Sequence, residues 1–236
     1  MSFLLVANWK TSGDAQLVGT FLDELKPYRS DKCSIVLCPP MTVIGSISSF
    51  ENPSAVEFGA QNCFVNDKNC TGEVSARMLK ECGCTYVIVG HSERRSTCHE
   101  SNGDIKVKAE AAIEAGLIPI ICVGESMAER TAGMLREVLI RQLRECLPSE
   151  GEFVIAYEPI WAIGGAVISD LSEIKEAIEI IRSHKAKSKI LYGGSVNASN
   201  VSDLVTGIDV GGVLVGSAST TTTSFTNILC NLFECL

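Results

Sequence analysis

Three residue types that together can move a proton beside a carbonyl each stand just after a short apolar run. They are Lys10 after Phe3 to Ala7, His91 after Tyr86 to Val89, and Glu158 after Phe153 to Tyr157. A carboxylate takes a C–H proton, while a neutral imidazole and an ammonium stabilise the oxygen on which negative charge develops. Two later runs are followed by glycine-containing turns, Gly193-Gly194-Ser195 and Gly216-Ser217, and backbone N–H groups in such turns hold a phosphate. The set suits proton abstraction next to a carbonyl in a phosphorylated substrate. Singly, each residue has a plainer reading: Lys10 as a solvated loop residue, His91 as a hydrogen-bonded structural group, Glu158 as an ion-pair partner, either turn as only a turn. Their joint placement favours chemistry. No metal-ligand spacing accompanies them, so the enediolate is expected to be stabilised without a metal ion.

These residues are positioned by eight Val- and Ile-rich runs: Phe3 to Ala7, Ser34 to Cys38, Val56 to Ala60, Tyr86 to Val89, Ile118 to Val123, Phe153 to Tyr157, Lys189 to Tyr192 and Val213 to Val215. They read as strands. Segments with helical spacing lie between them, such as Leu17, Phe21, Leu22, Leu25 and Ile174, Ile178, Ile181. Polar residues at the C-terminal ends of parallel strands converge on one face. That face would collect Asn8-Trp9-Lys10, Gln61-Asn62, Gly90 to Glu93, Gly124-Glu125 and Glu158-Pro159 besides the two turns. Spacing alone leaves a closed barrel and a doubly wound sheet equally open. Ser169 is expected to cap a helix over Asp170 to Lys185, and Gly116 to close the helix before the fifth strand. The β-branched run Ser219 to Ser224 would begin the last helix, which is expected to start late or dock loosely.

With 236 residues and 46% hydrophobic composition, the chain can bury a sizeable core, and one domain spanning residues 1–236 is expected. Phe3 to Ala7 is too short for a signal core or a membrane span, so a soluble, cytoplasmic protein is expected. Twenty Lys and Arg against 28 Asp and Glu give a net charge of −8, which argues against nucleic acid or membrane as a partner. A small anionic substrate must then be drawn by a local device such as one lysine and backbone N–H groups. The 11 cysteines match neither a zinc ribbon nor a redox pair and read as reduced, mostly buried thiols.

The motifs Asn8-Trp9-Lys10, Ala60-Gln61-Asn62, Thr71-Gly72-Glu73, Gly90 to Arg95, Cys122 to Glu125, Tyr157 to Gly164, Tyr192 to Ser195 and Leu214 to Gly216 resemble the triosephosphate isomerase family, in order and over nearly the whole chain. The resemblance implies a single-domain (β/α)8 barrel, an aldose–ketose isomerase acting through an enediolate, no coenzyme, and a homodimer. It makes Glu158 the base that shuttles a proton between C1 and C2 of dihydroxyacetone phosphate and D-glyceraldehyde 3-phosphate. His91 would move protons between the oxygens, Lys10 would balance the enediolate and phosphate, and Asn8 would orient the substrate. This family is itself the standard illustration of a helix N-terminus keeping such a histidine neutral. Backbone N–H groups at Gly164, Ser195, Gly216 and Ser217 would bind phosphate. Glu93, Glu125, Tyr157, Trp161 and Tyr192 would support the site and its lid, with Trp161 held by Tyr157 when open and by Glu125 when closed. Thr71 would reach the partner subunit's site near Asn8 and Lys10.

The chain departs from that pattern in three places. The lid, Gly165 to Ser169 after Gly164, is one residue shorter than usual, and so is the loop Cys63 to Cys70. Ser217 stands for the common second glycine after the eighth strand. Two other readings are a different barrel isomerase or lyase acting on a sugar phosphate, and a non-catalytic relative serving as a binding or surface protein. The first leaves Asn8, Lys10, His91 and Glu158 unexplained together, and the intact catalytic set argues against the second.

Overall fold

A computed structural model describes residues 2–52, 54–65, 70–163 and 170–236. Eight parallel strands, β1 Phe3–Asn8, β2 Cys33–Cys38, β3 Glu57–Ala60, β4 Tyr86–Val89, β5 Ile118–Val123, β6 Val154–Tyr157, β7 Lys189–Tyr192 and β8 Gly212–Val215, pair in chain order. β8 returns to β1, with Leu4 opposite Gly212 and Ala7 opposite Val215, so the barrel is closed. Closure removes the two edges of an open sheet, which settles the choice that strand spacing left open. The helices are α1 Ala15–Glu24, α2 Met41–Ile44, α3 Ala76–Glu81, α4 Ser92–Thr97, α5 Asn102–Glu114, α6 Met127–Thr131, α7 Leu135–Cys146, α8 Leu171–His184, α9 Val201–Gly207 and α10 Thr222–Phe233. Among the described residues no helix is long and apolar enough to cross a membrane.

Both faces of each strand are covered, as continuous apolar runs require. Leu4, Val6, Val36, Cys38, Ile88, Ile120, Cys122, Val154, Ala156, Leu191 and Leu214 fill the barrel interior. The alternate residues, such as Phe3, Leu5, Val87, Ile121 and Ile155, pack outward with the helices. The period of two then decides what stands at the mouth of the barrel. Continuing the inward series gives Asn8 at the end of β1 and Glu158 just after β6, but Gly124, Gly193 and Gly216 just after β5, β7 and β8. Polar groups on some strands and missing side chains on others open a cleft above a packed interior.

One helix end differs from expectation, and one bears it out only in part. The N-cap of α8 is Asp170, not Ser169: its carboxylate accepts from Ser172 N–H while Glu173 accepts from Asp170 N–H, a reciprocal box that serine at the preceding position cannot form. The last helix does begin late, at Thr222 with Thr221 as cap, yet it does not dock loosely. Phe225, Ile228, Leu229 and Leu232 are fully buried, and this packing outweighs the poor propensity of its threonines. Gly116, at φ +79°, closes α5 as the sequence indicates.

Candidate active site

Glu158 leaves β6 with its side chain turned into the mouth, 2% exposed. Its backbone N–H donates to Val123 O at 2.8 Å, so the β5–β6 ladder continues through it. Gly124 makes that approach possible: a Cβ at residue 124 would lie 1.8 Å from the Glu158 carbonyl oxygen. Glu158 Oε2 accepts from Ser92 N–H at 3.2 Å. Oε1 is buried, has no hydrogen bond, and stands 3.4 Å from His91 Nε2. A carboxylate oxygen in that condition is costly unless the site uses it.

His91 caps the short helix α4 after the turn at Gly90. Its Nδ1 accepts from Glu93 N–H at 3.3 Å, which assigns the ring proton of the neutral tautomer to Nε2, the nitrogen facing Glu158. The helix N-terminus expected beyond His91 is therefore present. Glu93 lies between Lys10 and His91, its Oε1 accepting from Lys10 Nζ at 2.5 Å and its Oε2 at 3.6 Å from His91 Nδ1.

Lys10 sits in the left-handed backbone region at φ +53°. Asn8 Oδ1 accepts from its N–H at 3.1 Å, and Gln61 Nε2 donates to its carbonyl at 2.8 Å while also donating to Cys38 O at 2.9 Å. Asn8, Lys10, His91, Glu158, Ser195, Gly216 and Ser217 all line one cleft of about 380 Å³. Ser195 Oγ donates to Ala162 O at 2.7 Å, tying the β7 turn to the segment after β6. Gly164 lies outside the described residues, as do the lid Gly165 to Ser169 and residues 66–69 of the shortened loop. Thr71 is exposed and does not line the cleft of its own chain.

Glu125 is fully buried behind Glu158. Tyr157 OH donates to both its oxygens, at 3.1 and 3.2 Å, and Trp161 Nε1 donates to Oε1 at 3.0 Å. Trp161 thus takes the Glu125 partner that the resemblance links to the closed lid, while Tyr157 also turns to Glu125. Burial pushes the Glu125 carboxyl up, opposed by these donors and by Arg130. Tyr192 is buried with its ring centroid 6.4 Å from that of Tyr157, and its hydroxyl fills the space that a side chain at Gly194 would need.

Several supporting residues are absent from the sequence-based set. Arg95 donates to Gly90 O and Cys122 O, clamping the ends of β4 and β5. Gln142 Nε2 and Oε1 pair with Gly124 O and N–H. A polar residue in the stripe Leu135, Val138, Leu139, Leu143 was a visible signal for Gln142. The buried Cys122 thiol lies against Glu158, its acidity suppressed first by burial and then by that carboxylate. Nothing in the sequence marked Ser92 N–H or Arg130.

A family model for triosephosphate isomerase matches residues 3–232. The triosephosphate isomerase of Ehrlichia chaffeensis is 48% identical over 234 residues, covering 97% of this chain and 96% of the relative. That of the Wolbachia of Brugia malayi is 47% identical over 221 residues, covering 93% of each. The crystal structure of triosephosphate isomerase from Bartonella henselae superposes with a TM-score of 0.89 at 34% identity, covering 99% of this chain and all of that one.

Proposed function

This chain belongs to the triosephosphate isomerase family and interconverts dihydroxyacetone phosphate and D-glyceraldehyde 3-phosphate, and we propose that Glu158, His91, Lys10 and Asn8 carry that reaction. The observation that carries the assignment is Glu158 Oε1: buried, without a hydrogen bond, and beside His91 Nε2 in the cleft that Lys10 also lines. As carboxylate it removes the proton from C1 and returns it to C2. His91 donates its Nε2–H to the oxygen that becomes negative and passes a proton between the two oxygens. The Lys10 ammonium stabilises the enediolate and the phosphate, and Asn8 orients the substrate while holding the Lys10 backbone. Backbone N–H groups of Ser195, Gly216 and Ser217, with Gly164, bind the phosphate. Trp161, Glu125, Tyr157, Tyr192 and Glu93 hold these groups in place.

Residues 1–236 form one catalytic domain that works in the cytoplasm, in glycolysis and gluconeogenesis, as a homodimer. What supports the dimer is the turn Cys70 to Glu73, which projects from the chain: Thr71 is exposed, and Gly72 has nothing within 4 Å of the place a Cβ would take. Sedimentation at micromolar concentration measures it. For the catalytic assignment, Glu158→Gln keeps the shape and removes the base, so kcat for glyceraldehyde 3-phosphate in a coupled assay should fall about 10²- to 10⁴-fold with the fold retained. Near-normal kcat in folded Glu158→Gln would give the base to another group.

A further inference from the structure

Arg130 belongs to α6, after β5, yet its guanidinium lies between both ends of the segment that joins β6 to α8. It is 13% exposed. Nη1 faces the buried Glu125 Oε1 at 3.7 Å without a hydrogen bond, so the contact is one of charge. Nη2 donates to Glu176 Oε2 at 3.1 Å and to Glu173 O at 3.5 Å, both on α8. Glu173 is also the residue whose Oε2 completes the cap at Asp170, and its Oε1 lies 3.9 Å from Nη2.

At the near end, Glu125 holds the residues immediately after Glu158 in two ways. Its carbonyl accepts from Ile160 N–H at 3.0 Å and its carboxylate accepts from Trp161 Nε1. Arg130 thereby spans from the exit of Glu158's strand to the first turn of α8. We propose that Arg130 is a positioning residue for Glu158, fixing the start of α8 relative to the Glu125–Trp161 anchor; this rests on the assignment of Glu158 as the base. The charge beside Glu125 and the span to α8 are separable functions. A lysine supplies the first, but its single ammonium lacks the planar fork that meets Glu125 and α8 together.

The test compares Arg130→Met, Arg130→Lys and Glu176→Gln in the full chain by kcat, KM, thermal midpoint and Trp161 emission, with wild-type turnover as the control. Arg130→Met should lower kcat about tenfold to a hundredfold, with KM changed much less, because a small displacement of the base costs rate more than binding. It should also shift Trp161 emission as the indole leaves Glu125. Trp9, the other tryptophan, is fully buried in the core and serves as a constant background. Arg130→Lys should regain thermal stability but not rate. Glu176→Gln, at a position 61% exposed, leaves Glu125 untouched and should lower kcat about twofold with little change in stability. It also keeps the question open to measurement if Arg130→Met fails to fold. Wild-type kcat in Arg130→Lys, or rate and stability recovering together, would overturn the proposal. A wild-type protein without turnover would instead remove the catalytic reading on which it rests.

Discussion

Lys10 holds its left-handed backbone at a cost of about 1–3 kcal/mol, and such strain persists only where neighbours impose it. Asn8 Oδ1 holds the Lys10 N–H and Gln61 Nε2 its carbonyl. Gln61→Ala leaves the carbonyls of Lys10 and Cys38 without that donor and lets residue 10 relax, moving Nζ within the cleft. The expected result is KM raised about threefold to tenfold with a smaller loss of kcat, a cost of roughly one hydrogen bond; unchanged KM would mean Asn8 suffices. Lys10, His91 and Glu158 were legible because each stands at a strand end where a barrel gathers its chemistry. Gln61 was legible as a strand end but not in its role, because both its partners are main-chain oxygens more than twenty residues away in sequence. A backbone acceptor carries no sequence signal.

Strands were legible almost to the residue, since a parallel barrel buries both faces and each strand appears as an apolar run between polar ends. Helix ends were less so. Asp170 and Ser169 are both good caps by type, and the choice is made by which one lets Glu173 reach back three residues. The inward series on β5 ends at Gly124, where the Glu158 carbonyl occupies the place of a Cβ. Gly124→Ala must therefore push β6 away just where it presents Glu158, the proposed base. We expect a loss of about 3 kcal/mol or more in urea unfolding together with a large drop in kcat. An alanine variant with normal stability and rate would show that the two strand ends move apart freely.

At the scale of the whole molecule, the barrel and its helical coat bury thiols that would ionise freely in the unfolded chain. Burial pushes Cys33, Cys63 and Cys84 each up to about 12 from an ordinary 9.0. Below about pH 9 both states keep these protons and stability is insensitive to pH. Between about 9 and 12 the unfolded state releases them while the folded state does not, so stability falls as pH rises, by about 1.4 kcal/mol per unit for each thiol. The urea midpoint under reducing conditions should drop steadily through that window; a flat midpoint would place these thiols in contact with water.

The sequence by itself determined the eight-fold alternation, the strand limits, the candidate residues at the strand ends and the family, because periodicity and residue type at strand ends are local properties. Tertiary structure decided the rest. It closed the sheet, left Glu158 Oε1 without a hydrogen bond beside His91 Nε2, put Trp161 and Tyr157 on Glu125, and set Arg130 between Glu125 and α8. Each of these depends on which distant groups meet and which polar atoms are buried by the meeting, and neither is encoded in spacing along the chain.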